Sequence, residues 1–441
     1  MTERIDNSLP QSLRLRSLAA LLLAMFAIAL GYGFLLPILP STIARIAGTS
    51  DPAVLARHAG VLTGTYTLAL FLFAPLGGRL ADRYGRRPMI VLGLMGFALS
   101  LALFAVAGSL PQLYLGRFLN GMFASAIAPA AYALVGDHAS TKEWRAHRFA
   151  LLNIAGASGF LVGPMLGGLV ISSAGVVLPG LSEVAISRSP FFVTAAFAFI
   201  VAVLVLALVP GGIICGSVGW EDARAPEGRA ALPRLLAISF VTALAVGAFE
   251  VGLSLRGVQD LEMNTYRLGL MFTECALVML IAQSIVFSPL VRPESTRWLV
   301  APSLAILAVG VAAVPFASSA VGIAIIVAMI AASAGILSPV ATYWISMSAG
   351  IRQGADLGLQ TASASLGQAT GSAVGGLLFG VAFVPNASFI LAAVVVLLGL
   401  AASMGVPRLL TQPGRDESDE RGPPSPCVES SVAVVGEGRS P

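Results

Sequence analysis

Apolar residues run through this chain in blocks of twenty or more, separated by short polar punctuation. A helix that crosses a bilayer needs about 20 such residues, because the rise of roughly 1.5 Å per residue must cover a hydrocarbon core of about 30 Å. The pattern predicts twelve spanning helices. Six lie at 17–39, 59–79, 89–109, 112–136, 148–174 and 189–210, and six at 234–256, 267–291, 298–317, 320–347, 357–381 and 386–407. A looser segment, 211–233, separates the sets and carries Glu221, Asp222, Arg224, Glu227 and Arg229. The expected organisation is a tail 1–16, a six-helix half 17–210, a central loop 211–233, a second half 234–410 and a disordered tail 411–441, rich in Pro, Gly, Ser and acids. The fold class is an all-α polytopic membrane protein.

Composition narrows the function classes. Charged residues make up 11 % and hydrophobic ones 57 % of the 441 residues, against about 25 % charged in soluble domains. Neither a water-soluble enzyme nor a nucleic-acid binder fits, although the net charge is +4. The basic residues sort by side instead. With the N-terminus inside, Arg79, Arg83, Arg86, Arg87, Lys142, Arg145 and Arg148 fall on the inner face. The outer face has Arg45, Arg57, Arg188, Arg256 and Arg267. This asymmetry predicts that both termini are cytoplasmic. Cys215, Cys275 and Cys427 offer neither a disulfide framework nor metal-ligand spacing, and His58, His138 and His147 are expected in loops. No metal or cofactor is expected, and the absence of a Gly-x-x-x-x-Gly-Lys-Ser/Thr loop argues against a nucleotide.

The halves echo each other. Gly159-x-x-x-Gly163-Pro164-Met165-Leu166-Gly167-Gly168 in span 5 is matched by Gly367-x-x-x-Gly371-Ser372-Ala373-Val374-Gly375-Gly376 in span 11, so the glycines recur after 367 − 159 = 208 residues. Parallel repeats of this kind are the layout of a rocking transporter with its site near the midplane. The loop after span 2 reads Gly78-Arg79-Leu80-Ala81-Asp82-Arg83-Tyr84-Gly85-Arg86-Arg87. It resembles the signature loop of the major facilitator superfamily along nearly its whole length. Arg117-x-x-x-Gly121 in span 4 is similar to a second family motif. The span 5 run and the segment GYGFLLPILP from Gly31 to Pro40 are similar to the twelve-span drug:proton antiporter branch, which includes tetracycline exporters. The resemblance covers all twelve spans, with its motifs concentrated in the first half. It implies that Gly78, Asp82, Arg83, Gly85, Arg86 and Arg87 latch the cytoplasmic ends of the halves. It also implies that Gly159, Gly163, Pro164, Gly167 and Gly168 bend span 5 and pack it against the opposite half.

Ionisable residues inside a membrane are functional candidates by default, and the spans contain Arg117, Glu250 and Glu274. Counted from the span ends, all three sit roughly 7–11 Å below the outer boundary. This predicts a proton-linked outer gate: Arg117 pairs with Glu250 or Glu274 when the outer side is closed, favouring proton release inward, and leaves it when that side opens. Of the two acids, Glu274 is the preferred coupling residue, whereas Glu250 could instead attract a cationic substrate. Span 1 lacks the acid that several antiporters of the branch carry, so their coupling site does not transfer.

Tyr32, Asn120, Tyr132, Tyr343 and Gln360, with Trp344 and Gln368, are the polar or aromatic residues expected to contact substrate or to bond between helices. The expected function is secondary active export of a small amphipathic drug or metabolite in exchange for protons, by a monomer in a bacterial inner membrane. One alternative is an importer or a metabolite or siderophore carrier on the same fold. The other is a non-transporting sensor or assembly factor.

Overall fold

A computed structural model describes residues 15–49, 51–139, 141–177, 182–210, 231–259, 265–286, 288, 291–317, 319–349, 352–379 and 387–410. The tail 1–14, the central loop over 211–230 and the tail 411–441 lie outside the described residues, as do Cys215 and Cys427.

The first half contains α1 (Leu15–Ala47), α2 (Pro52–Tyr84), α3 (Arg86–Val106), α4 (Leu110–Ala124), α5 (Ile127–Asp137), α6 (Lys142–Val177) and α7 (Glu183–Leu208). The second contains α8 (Leu232–Gln259), α9 (Thr265–Val286), α10 (Val300–Ala313), α11 (Ala320–Ser348), α12 (Gln353–Phe379), α13 (Ala387–Ser403) and the short α14 (Val406–Leu409). Several helices outrun the predicted spans, because an α-helix satisfies its own backbone and need not stop where the hydrocarbon does. The expected single span 112–136 is two helices, α4 and α5, meeting in a turn at Ser125 and Ala126. Pro129 explains the break: it has no N–H to give the Ser125 carbonyl.

Among the described residues, nine segments are long and apolar enough to cross a membrane. The two shorter apolar helices, Leu270–Val286 and Ala387–Ser403, and the Gly-, Ser- and Thr-rich α12 make up the twelve. α12 tolerates its low hydropathy because it packs between α8 and α2, shielded from lipid over much of its surface. Leucines and valines of α3, α7 and α13 instead point outward, as a lipid-facing surface requires. The expectation that all histidines lie in loops is corrected. His58 is in α2, where its Nδ1 lies 2.7 Å from the Tyr114 hydroxyl, and His147 is in α6. Both helices continue past their apolar runs, so the end of the hydrophobic pattern does not mark the end of the helix.

The glycine repeat has a common structural meaning. A Cβ on Gly159 would lie 2.4 Å from the Phe26 carbonyl oxygen, and one on Gly163 would lie 2.7 Å from Phe34 N, both on α1. A Cβ on Gly367 would lie 2.2 Å from the Phe240 carbonyl oxygen, and one on Gly371 would lie 2.0 Å from that of Leu244, both on α8. Each run therefore seats its helix backbone-to-backbone on the first helix of its own half. The expectation that Gly159, Gly163 and Gly167 face the opposite half is thereby corrected, while Gly168 meets nothing within 4 Å and Pro164 is exposed. Small residues permit such approach, and spacing of four puts them on one helix face.

Candidate functional site

A central cavity and a tight junction at the arginine-rich end stand out. The cavity, about 230 Å³, is lined by Met25, Ile28, Ala29 and Tyr32 of α1, Tyr66, Thr67 and Leu70 of α2, Phe160 of α6 and Gln368 of α12. It lies between the halves and is somewhat smaller than the roughly 300–1,000 Å³ usual for ligand pockets. Phe160 and Gln368 occupy equivalent places in the two repeats, since 368 − 160 = 208. Their carbonyl oxygens approach Gly33 and Gly247, where a Cβ would come within 2.5 and 2.6 Å. One half thus offers the cavity a ring and the other an amide.

Behind the ring-bearing wall sits Arg117. It is fully buried, and its guanidinium carbon lies 4.3 Å from the Tyr66 ring centre and 5.3 Å from that of Tyr32. A desolvated guanidinium over aromatic faces gains about 2 kcal/mol or more. Its Nη1 donates to Asn120 Oδ1 at 3.4 Å, whereas Nε and Nη2 have no hydrogen-bond partner among the described residues. Tyr32 stacks on Phe160 at 5.9 Å and leans on Tyr66 at 5.2 Å, so the α1, α2 and α6 faces of the cavity form one aromatic wall.

Across the cavity, the Gln368 amide lies within electrostatic range of the Glu250 carboxylate. Glu250 is also within electrostatic range of Tyr32, and Cys275 is within range of both Glu250 and Glu274. The three charges named from sequence are thus brought to one region, without an ion pair between Arg117 and either acid in this conformation. Of the residues expected to meet substrate, the structure brings Tyr32 and Gln368 to the cavity. Asn120 instead donates to Ser100 Oγ at 3.1 Å, and Gln360 to Thr342 Oγ1 at 2.7 Å, each joining two helices. Tyr132 packs edge-on against Phe149, and Tyr343 against Trp344, away from the cavity lining. Tyr66, Thr67 and Phe160 were missed, for a tyrosine or phenylalanine in an apolar run carries no sign of the cavity it faces.

At the arginine-rich end the halves meet directly. Asp82 accepts hydrogen bonds from the backbone N–H groups of Gly354 at 2.9 Å and Ala355 at 2.8 Å, at the start of α12. A carboxylate there meets unsatisfied N–H groups and the positive end of the helix dipole. Arg86 donates to Asp82 and, at 3.1 Å, to Asp137, and Arg87 donates to the Leu206 carbonyl. Arg83 lies over the Tyr84 ring at 5.4 Å. The described hydrogen bonds and ring contacts of these three arginines stay within the first half, so Asp82 is the loop side chain seen hydrogen-bonding to the second, with Arg86 Nη1 packed beside it, 2.8 Å from where a Cβ on Gly354 would lie. Gly78 makes the approach possible: a Cβ there would lie 1.9 Å from the Gly354 carbonyl oxygen. Gly85, at φ 98°, supplies the left-handed turn between α2 and α3. Asp356, buried in the first turn of α12, lies one residue outside the predicted span and was not singled out from sequence.

Comparison with known proteins agrees with this architecture. The Major Facilitator Superfamily profile matches residues 21–350. "Multidrug resistance protein 1" of Bacillus subtilis is 27 % identical over 88 % of this chain and 95 % of its own length. "Tetracycline resistance protein, class B" of Escherichia coli is 35 % identical over 38 % of this chain and 37 % of its own length. Among solved structures, the human organic anion transporter MFSD10 superposes with a TM-score of 0.74 at 20 % identity, covering 88 % of this chain and 99 % of that one. The profile match across most of the chain, on two helical halves around a central cavity, makes this protein a member of the major facilitator superfamily of membrane transporters.

Proposed function

We propose that this carrier exports small amphipathic molecules across a bacterial inner membrane in exchange for protons, by alternating access, with both termini in the cytoplasm. The observation that carries the reading is the placement of Gln368: its amide lines the cavity and also lies within electrostatic range of the Glu250 carboxylate. A cavity occupant and a proton are therefore sensed at one place. An occupant bearing positive charge or an N–H donor is attracted by the ionised carboxylate and loses that attraction when the acid is protonated, so occupant and proton exclude each other. The aromatic wall of Tyr32, Tyr66 and Phe160 suits the apolar part of the substrate. The names of the relatives, multidrug and tetracycline resistance proteins, support export of such compounds.

Glu250 is the first candidate for coupling, ahead of Glu274, which is half-buried beside Cys275 rather than near the cavity-lining Gln368. Asp82 on the α12 N-terminus, oriented by Arg86, is the latch that holds the cytoplasmic side closed while the cavity opens outward. Release of that latch would let the outer side close, bringing Arg117 toward the acids. The test uses everted vesicles acidified inside, with a panel of amphipathic compounds and proton efflux as readout. Compound-driven efflux in the native protein, lost by a factor of ten or more in Glu250→Gln and retained in Glu274→Gln, is expected. Efflux lost only in Glu274→Gln moves the coupling to that acid. An absence of compound-driven efflux in the native protein rejects proton-linked export.

A further inference from the structure

We propose that Arg145 is a second clamp between the halves, distinct from the Asp82 loop, and that it works by capping two helix C-termini at once. Its Nη2 donates to the Gly136 carbonyl at 3.0 Å, one residue before the end of α5. Its Nη1 donates to the Ser346 carbonyl at 3.1 Å and lies 3.3 Å from Ser346 Oγ, two residues before the end of α11. α5 belongs to the first half and α11 to the second. The last four carbonyls of a helix have no partner inside it and carry the negative end of its dipole. A guanidinium can serve two such ends together because its N–H groups fan out in one rigid plane.

Two further features point the same way. Arg145 sits in the first turn of α6, whose own dipole disfavours a cation, so its place is explained by the foreign carbonyls and not by its own helix. The junction around it is also close-packed across the halves. A Cβ on Gly136 would lie 2.0 Å from Gln353 Oε1 and 3.1 Å from Ser346 Oγ. Ser346 Oγ donates to Gln353 Oε1 at 2.9 Å, and Gln353 Nε2 donates to Asp137 Oδ1 at 3.3 Å. Asp82 and Arg145 are thus opposite in sign and in the helix end they cap: the acid holds an N-terminus, the base two C-termini. The exposed pair Lys142–Glu294, at 3.3 Å, also crosses the halves, but such pairs contribute little.

The proposal rests on alternating access but not on proton coupling or on any substrate. It is therefore tested by hydrogen exchange of the full-length protein in nanodiscs without added compound. Arg145→Ala is expected to speed exchange in 343–358 and 130–140 about tenfold, and to slow it at the opposite ends of α1, α2, α8 and α9 as the outer side closes. That reciprocal protection is a change that mere local loosening would not produce. Arg145→Lys, which cannot reach both carbonyls with a planar fork, is expected to fall between. The double variant with Asp82→Asn should exchange faster than either single variant but by less than the product of their effects, because Arg86, Asp137, Gln353 and Ser346 join the two sites in one hydrogen-bonded chain. Gly136→Ala wedges the same junction while keeping Arg145, and should reproduce the shift if Arg145→Ala does not accumulate. Unchanged exchange at both ends in Arg145→Ala or Arg145→Lys overturns the clamp. Loosening at the arginine-rich end without outer protection also overturns it, and a double variant no faster than Asp82→Asn alone overturns its independence.

Discussion

At the scale of single residues, the membrane interior makes each polar group account for its partners. Arg117 has two aromatic faces and a long bond to Asn120 in place of a carboxylate. Replacing Tyr66 by Leu should therefore cost about 2 kcal/mol of stability, read as a lower midpoint in thermal unfolding of the purified carrier, while Tyr66→Phe should keep most of it. Asn120 and Gln368 separate the two uses of an amide. Asn120→Ala removes a helix–helix bond worth roughly 0.6 kcal/mol and, at further cost in stability, the acceptor of the buried Arg117 guanidinium, and should leave the KM of transport unchanged. Gln368→Ala removes a cavity-lining group within electrostatic range of Glu250, and should raise KM severalfold and flatten the dependence of transport on pH. The charged residues were conspicuous in the sequence because ions in apolar runs are rare. The amides were not separable there, since an Asn or Gln facing a neighbouring helix looks the same as one facing a cavity.

At the scale of helices, the repeated glycines are contact points, and their partners set the effect of filling them. Gly371→Ala drives a methyl against the Leu244 carbonyl, which is backbone and cannot swing away, so a cost of roughly 1–3 kcal/mol is expected. Gly168→Ala meets open space and should be neutral or slightly stabilising in the same thermal assay. The 208-residue repeat could be recognised from spacing alone. Which helix each run packs against could not, because a Gly-x-x-x-Gly face fits any backbone presented to it. Likewise α12 was predicted as a span despite its weak hydropathy, yet only its burial between α8 and α2 explains why so many small polar residues are tolerated there.

At the scale of the whole molecule, closure at the arginine-rich end depends on backbones meeting without side chains between them. Gly78 meets Gly354, and a Cβ on Gly358 would lie 2.3 Å from the Ala74 carbonyl oxygen. Gly78→Ala and Gly358→Ala should therefore favour the state open at this end, while leaving each half folded. The expected readout is faster hydrogen exchange in the first two turns of α12, with exchange in α3 and α7 unchanged. Asp82 can reach the α12 N–H groups only while those glycines touch, so Gly78→Ala should also weaken the Asp82 contact, and adding Asp82→Asn should then have little further effect.

The sequence by itself determined the number of spans, their repeat, the charged positions within them and the loop that marks the family. All of these are written in local runs of hydrophobicity or in fixed spacings along the chain. Tertiary structure alone decided that Tyr66 and Phe160 join Tyr32 in one aromatic wall, that Gln368 links the cavity to Glu250, and that Arg145 joins the ends of α5 and α11. These residues lie tens to hundreds of positions apart, and their chemistry arises from two half-molecules meeting. No periodicity within either helix encodes which face of it the other half will find.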